Sequence, residues 1–415
     1  MRRFLLAIVL IGASVTSLAG PREVQEQQRQ PPREQNAPPP YVFEVLRTRY
    51  RFENDGTGTK EINARIRILT QAGTQQFPEL TFQYKPSKER LQVLYVHILR
   101  HDGKVVDVET APPPNPHRIF REGGSSGFDF YEKTLPLPSV SPGDALEYDV
   151  ETVSYAAETP GNFSGAYSFL QEGVLGEQLE IDVPIDRAVK LKTKPGLHGS
   201  MKAESGRRIY SWRSPRQAND FGHGTTNSPS DTVPDVQISS FRDWEEVGHW
   251  YAEMERNRHT PSPDVEAKAK ELTAGLKSDS EKVAALYDFV SQKIRYISLV
   301  SVGIAGYESR TAADVLRLGY GDCKDKDTLL TALLEAEGMH ASSVLINPIR
   351  ELDPEMPSPW PFTHVITMLH LGKEELWMDS SSGVSFRMLP AILRKKKALV
   401  VPPDGMPHFE ETPAL

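Results

Sequence analysis

The stretch that most constrains this chain is residues 319–338, G-Y-G-D-C-K-D-K-D-T-L-L-T-A-L-L-E-A-E-G, which holds Cys323, the sole cysteine among 415 residues. Beyond Cys323 the pattern turns helical. Leu329, Leu330, Leu333 and Leu334 recur at the spacing of one apolar face, and Gly338 stands where a glycine ends a helix. The cysteine therefore falls in the first turn of a buried helix, directly after a glycine-rich bend. Unpaired backbone N–H groups and the helix dipole favour negative charge there, which lowers a thiol's pKa. A thiolate is the competent nucleophile, and free amides beside it can hold an oxyanion.

Two partners follow in the order such chemistry needs. His364 lies 41 positions downstream in T-H-V-I-T-M-L-H-L, which alternates like a strand. Asp379 lies 15 positions further on in E-L-W-M-D-S and reads as the end of the next strand, with Gly372-Lys373 as the turn between. A His and an Asp on adjacent antiparallel strands can hydrogen-bond, which fixes the imidazole tautomer. The expected catalytic set is thus Cys323 as nucleophile, His364 as base and Asp379 as its orienter. His370 shares parity with His364 and is the rival base, while His340 is also within reach along the sequence.

These residues carry a resemblance. G-D-C-K-D-K at 321–326, F-T-H-V at 362–365 and W-M-D at 377–379 resemble the core of the bacterial transglutaminase-like superfamily, over about residues 241–383. Residues 41–235 resemble the β-rich domain of unknown function that often precedes this core in bacterial secreted proteins, on strand patterning and the S-P-G-D-A-L-E-Y turn at 141–148. The resemblance implies a papain-like α+β core with a Cys-His-Asp arrangement. Bacterial relatives of this core include proteases as well as crosslinkers, so both outcomes stay open.

The length suits two or three domains. A formal charge of −8 gives no basic signature for nucleic acid, so no nucleic-acid partner is expected. Residues 1–19, M-R-R-F-L-L-A-I-V-L-I-G-A-S-V-T-S-L-A, place two arginines before a short apolar run and small residues before Gly20. This reads as a secretory signal cleaved after Ala19, with an uncleaved anchor as the alternative. The expected location is periplasmic or secreted. No cysteine stands at the cleavage point for lipidation. A lone cysteine in an exported chain leaves intermolecular pairing, an inert buried thiol or a reactive one; its helix-start context favours the last.

Residues 20–40 are rich in Pro, Gln, Arg and Glu and read as a disordered linker. From Tyr41 the pattern becomes β. Ile62, Ala64, Ile66 and Ile68 alternate with polar residues after the Asn54-Asp55-Gly56 turn. Strand-like runs at 91–99, 145–155, 179–183, 189–193 and 208–213 complete an expected antiparallel β-sandwich over 41–235. Residues 111–116 and 121–130 read as a long surface loop, and the polar segment 219–234 as a domain boundary. Helices are expected over 244–256, 263–276, from a Ser278–Glu281 capping box onward, and over 311–318. A strand follows at 341–346. The proline-rich segment 347–362 arrives at His364 and is expected to wall a cleft, with Trp360 and Phe362 either lining it or covering the core. Residues 384–415 read as a C-terminal tail. Its Arg394-Lys395-Lys396-Lys397 run is a solvated face, or else a contact with an anionic cell-envelope surface. Related chains often continue further, so with the chain ending at Leu415 such a region is expected to be absent or curtailed.

Around the nucleophile, Lys324 could add positive potential, whereas Asp322 and Asp325 oppose it. Asp325 and Asp327 read first as carboxylates placed against the helix dipole. A metal site made from them lacks a D-x-D-x-D-G loop pattern, and neither metal nor cofactor is expected. The expected function is an exported cysteine enzyme acting on amide bonds of protein or peptide substrates, by acyl transfer or hydrolysis. The alternative is a non-catalytic cell-envelope scaffold that keeps the fold for binding.

Overall fold

The computed structural model describes residues 39–110, 117–118, 131–170, 173–214, 233–297 and 306–414. The signal-like segment, nearly all of the linker, the loops expected at 111–116 and 121–130, and most of the polar boundary at 219–234 lie outside the described residues. The chain divides into two compact units, which meet in sequence between Ser240 and Phe241. No helix among the described residues is long and apolar enough to cross a membrane.

The first unit is built from short strands, as its period-2 alternation requires. In order they are β1 (Tyr41–Phe52), β2 (Gly58–Ile68), the one-turn helix α1 (Gln71–Thr74), β3 (Glu79–Tyr84), β4 (Glu89–Leu99), β5 (Val105–Asp107), β6 (His117–Arg118), β7 (Tyr131–Pro136), β8 (Ala145–Ser154), β9 (Ser164–Tyr167), β10 (Glu177–Pro184), β11 (Lys190–Thr193), β12 (Gly199–Glu204), β13 (Arg207–Arg213) and β14 (Val236–Ser239). Eight strands form one sheet in the order β12-β13-β10-β1-β2-β8-β4-β5. Two three-stranded sheets, β3-β7-β6 and β11-β14-β9, accompany it. Ile62, Ala64, Ile66 and Ile68 of β2 pack with Phe82 and Leu135 of one small sheet. Leu179, Ile181 and Val183 of β10 pack with Val236 and Ile238 of the other. Arg49, Arg65 and Arg67, at the alternate positions, form ion pairs with Glu180 and Glu44. The expected all-antiparallel sandwich thus gives way to one broad sheet packed with two small ones, and β1 runs parallel to β10 from Leu46–Glu177 to Arg51–Asp182. A parallel pair needs a long crossover in place of a hairpin, and alternation alone does not reveal that choice.

The second unit is mixed α and β. Its helices are α2 (Trp244–Glu255), α3 (Pro263–Thr273), α4 (Asp279–Lys293), α5 (Ala312–Leu318) and α6 (Cys323–Ala336). Asp243, Ser262, Ser278, Thr311 and Asp322 cap their N-termini, each accepting from a backbone N–H of the first turn. The short strands β15 (Arg295–Tyr296) and β16 (Tyr320–Gly321) pair in parallel. β17 (Ala341–Ile346), β18 (His364–Leu371), β19 (Glu374–Met378), β20 (Lys397–Val401) and β21 (His408–Glu411) form an antiparallel sheet in the order β19-β18-β17-β20-β21.

That sheet is buried on both faces. Ala341, Leu369 and Met378 join α3–α6 in one apolar core. Val344, Ile366, Met368 and Trp377 join Leu389, Leu393 and Val400 in another. Residues 384–415, expected as a tail, therefore belong to this unit: β20 pairs with β17 in the sheet interior. The basic run is likewise tied down. Arg394 Nε donates to the Leu389 carbonyl, Lys396 Nζ contacts Glu351 at 2.7 Å, and Lys397 opens β20. The charges hide a strand whose apolar residues, Ala398-Leu399-Val400-Val401, read continuously because both faces are covered.

Candidate active site

The site is built from the bend before α6. Gly319 ends α5 in the left-handed region, at φ +69°, where glycine carries no steric penalty. Gly321 is packed so closely that an added Cβ would sit 2.5 Å from the Cβ of Asp325. Asp322 then caps α6 in a reciprocal box: its side chain accepts from the Asp325 N–H, and Asp325 Oδ2 accepts from the Asp322 N–H at 3.1 Å. Cys323 is the first helical residue and is 4% exposed.

His364 opens β18 and Asp379 directly follows β19. His364 Nε2 lies 3.1 Å from Asp379 Oδ2. Asp379 thus engages Nε2 and leaves Nδ1 as the other ring nitrogen, and Cys323 lies near enough to act on the charge of His364. The second Asp379 oxygen accepts from the Ser381 N–H at 2.9 Å and the Ser381 hydroxyl at 2.7 Å. Tyr287 Oη of α4 lies 2.9 Å from the Asp379 carbonyl, tying that backbone to the helical core.

The electrostatics follow the geometry. Burial pulls His364 down, but the charge and hydrogen bond of Asp379, and then Cys323, carry it well above its ordinary 6.5. Burial pushes Asp379 up, but His364 and the Ser381 donors outweigh that and hold it at about 2. Asp379 is therefore a carboxylate across the neutral range, and its charge favours the protonated form of His364.

The charged residues after Cys323 are buried, not arrayed on a solvated helix face. The Lys324 ammonium pairs with Asp322, and the charges of Asp322, Cys323 and Asp325 raise it against the opposing effect of burial. Asp325 also accepts from the Arg310 N–H at 2.8 Å and pairs with its guanidinium at 3.3 Å. Lys326 reaches back to the Ser291 and Ile294 carbonyls at the end of α4, and burial lowers it to about 8. Asp327 accepts from the Ser343 hydroxyl at 2.6 Å and the Thr367 hydroxyl at 2.5 Å, and burial drives it up to about 7. Beside it, buried Glu255 accepts from Ser309 and Thr328.

The other candidates go elsewhere. His370 is exposed on β18, and His340 pairs with Glu335 at the surface. Phe362 packs on Trp244 in the core under α2, whereas Trp360 is half-buried with the Arg350 guanidinium over its ring. Among the described residues no group of His, Cys, Asp or Glu is arranged to hold a metal ion. Ser381, Tyr287 and the hydroxyls around Asp327 escaped the sequence reading. Ser381 was findable as the hydroxyl two residues after a strand-end Asp. Tyr287 was not, because a tyrosine inside a helical run does not name the carbonyl its hydroxyl will meet.

Residues 266–353 match the model of the transglutaminase-like superfamily, and residues 54–218 match a domain of unknown function known as DUF3857. This chain carries a transglutaminase-like superfamily core. The matched part of that core includes Cys323 and ends before His364. The fold also resembles a candidate protease from Parabacteroides distasonis, with a TM-score of 0.68 at 16% identity over 91% of this chain and 72% of that one. A candidate cysteine protease from Cytophaga hutchinsonii matches at 13% identity over 60% of this chain and 80% of that one, with a TM-score of 0.28. No curated protein matches the chain. The transglutaminase-like core thus rests on the family match, and the structural likeness speaks for its fold.

Proposed function

We propose that this protein is a cysteine enzyme that cleaves or transfers amide bonds of protein or peptide substrates. The observation that carries the reading is the position of His364, hydrogen-bonded to Asp379 through Nε2 at 3.1 Å and near enough to Cys323 for the sulfur to act on its charge. The Cys323 thiolate attacks the amide carbonyl, forming a C–S bond. The imidazolium of His364 then gives its proton to the leaving nitrogen as the C–N bond breaks. The thioester passes to water or to an amine, whose proton returns to His364 as the thiolate leaves. Asp379 holds the ring orientation and stabilises its cationic form. The Cys323 amide, first in its helix and without an intrahelical acceptor, is one oxyanion donor. Export to the periplasm or beyond belongs to the same reading and rests on the signal-like pattern of residues 1–19.

The test uses the chain's only thiol, so that every alkylation event reports Cys323. An ordinary thiol, with a pKa of about 8.5, loses reactivity roughly tenfold per pH unit below that value. Iodoacetamide should instead label the wild type at nearly the same rate at pH 6 as at pH 8, and His364→Ala should restore the steep dependence. A wild type as steep as the His364→Ala variant, with the fold intact, would remove the nucleophile from the proposal and favour a binding scaffold.

A further inference from the structure

Asp327 is one helical turn past Cys323 and is 2% exposed. A buried acid group is costly to leave unsatisfied, and among the described residues its hydrogen-bond donors are two hydroxyls. Those hydroxyls are differently placed. Ser343 belongs to β17, which bears none of the three site residues, and stands opposite Thr367 in the β17–β18 ladder. Thr367 belongs to β18, three residues beyond His364. Leu330 and Leu333 of α6 also meet Leu369 of this sheet in the apolar core. Apolar packing tolerates small sliding, whereas a bond from a carboxylate oxygen to a hydroxyl at 2.5 Å fixes direction and register. Charged groups acting on Asp327 include Glu255 of α2 and His364 of β18.

We infer that Asp327 is a positioning residue, which through Thr367 locks the helix carrying the nucleophile against the strand carrying the base. The Asp327–Thr367 bond acts directly on the strand of His364, whereas the Asp327–Ser343 bond acts on it only through the β17–β18 ladder. This rests on the amide-bond reading above, because it matters only if the sulfur and imidazole act together.

The two bonds make the test. Thr367→Val and Ser343→Ala each delete one buried hydroxyl bonded to Asp327, so a merely structural role predicts similar consequences for both. The positioning role predicts a split. Thr367→Val should slow alkylation of Cys323 at pH 6 by about tenfold to a hundredfold, and should lower the His364 titration midpoint followed by NMR. Ser343→Ala should leave both near wild type, and Thr367→Ser, which keeps the hydroxyl, should restore both. Thr367→Ala replaces the valine variant if that one does not fold. The His364 midpoint in Cys323→Ala separates the two ideas. If removing the sulfur leaves the midpoint unchanged, the pair is uncoupled, and the amide-bond reading falls together with the positioning role. If removing the sulfur lowers the midpoint while Thr367→Val matches Ser343→Ala, only the positioning role is overturned.

Discussion

At the scale of single residues, His364 and Asp379 make opposite demands on pH. Asp379 is held at about 2 against an ordinary 3.8, so its contribution to stability is present above pH 3.8 and is lost as pH falls toward 2. His364 is raised above 6.5, so its contribution is complete below pH 6.5 and is lost as pH climbs through its folded value. The two windows overlap between about pH 4 and pH 6.5. Urea unfolding of Asp379→Asn should show its largest deficit there, about 2 kcal/mol, closing toward pH 2 and shrinking in alkali. A deficit that is flat across that range would mean that the carboxylate serves packing and not the imidazolium. Residue identity made this pair legible in advance, since strand parity and a short turn leave few other ways to place His364 and Asp379 side by side. Asp327 was legible only as one more acid near a helix start, because nothing local to it names hydroxyls on two distant strands.

At the scale of elements, α6 is unusual in burying Lys324, Asp325, Lys326 and Asp327 in succession. Its apolar face was plain from Leu329, Leu330, Leu333 and Leu334, and Gly338 indeed follows the helix in the left-handed region, at φ +74°. The burial of its charged side could not be read, because periodicity assigns such residues to solvent unless partners on other elements cover them. Here those partners are Arg310, the end of α4 and the two strands. The consequence is measurable at Asp322, which both caps the helix and pairs with buried Lys324. Losing the cap alone costs about 1 kcal/mol, whereas leaving a buried cation unpaired costs about 3–5 kcal/mol. Asp322→Ala should therefore destabilise toward the larger figure in chemical denaturation. Adding Lys324→Met should recover most of the excess and leave a loss near that of a missing cap. If the double variant is no better than the single, Lys324 is compensated by something other than Asp322.

At the scale of the whole molecule, the main departure from the sequence reading is where the second unit ends. The resemblance implies a core that ends at Gly383, yet the chain returns to lay β20 beside β17 and then closes with Thr412, whose hydroxyl donates to the Leu393 carbonyl at 2.5 Å. The missing information is long-range pairing, which a short apolar run such as 398–401 does not disclose when no turn joins it to its neighbour strand. Cutting the chain after Gly383 would expose the faces that Leu389, Leu393, Leu399, Val400 and Val401 now cover, each at most 5% exposed. At about 2 kcal/mol per buried aliphatic side chain the loss is on the order of 10 kcal/mol, comparable to the whole stability of a domain. It would also strip β17 of one hydrogen-bonded neighbour and leave its edge open. A chain truncated there should show residues 241–383 cut rapidly in limited proteolysis, with Cys323 alkylated as steeply with pH as an ordinary thiol. A protease-resistant fragment over 39–240 should survive, because neither of that unit's apolar cores draws on any residue beyond Ser240.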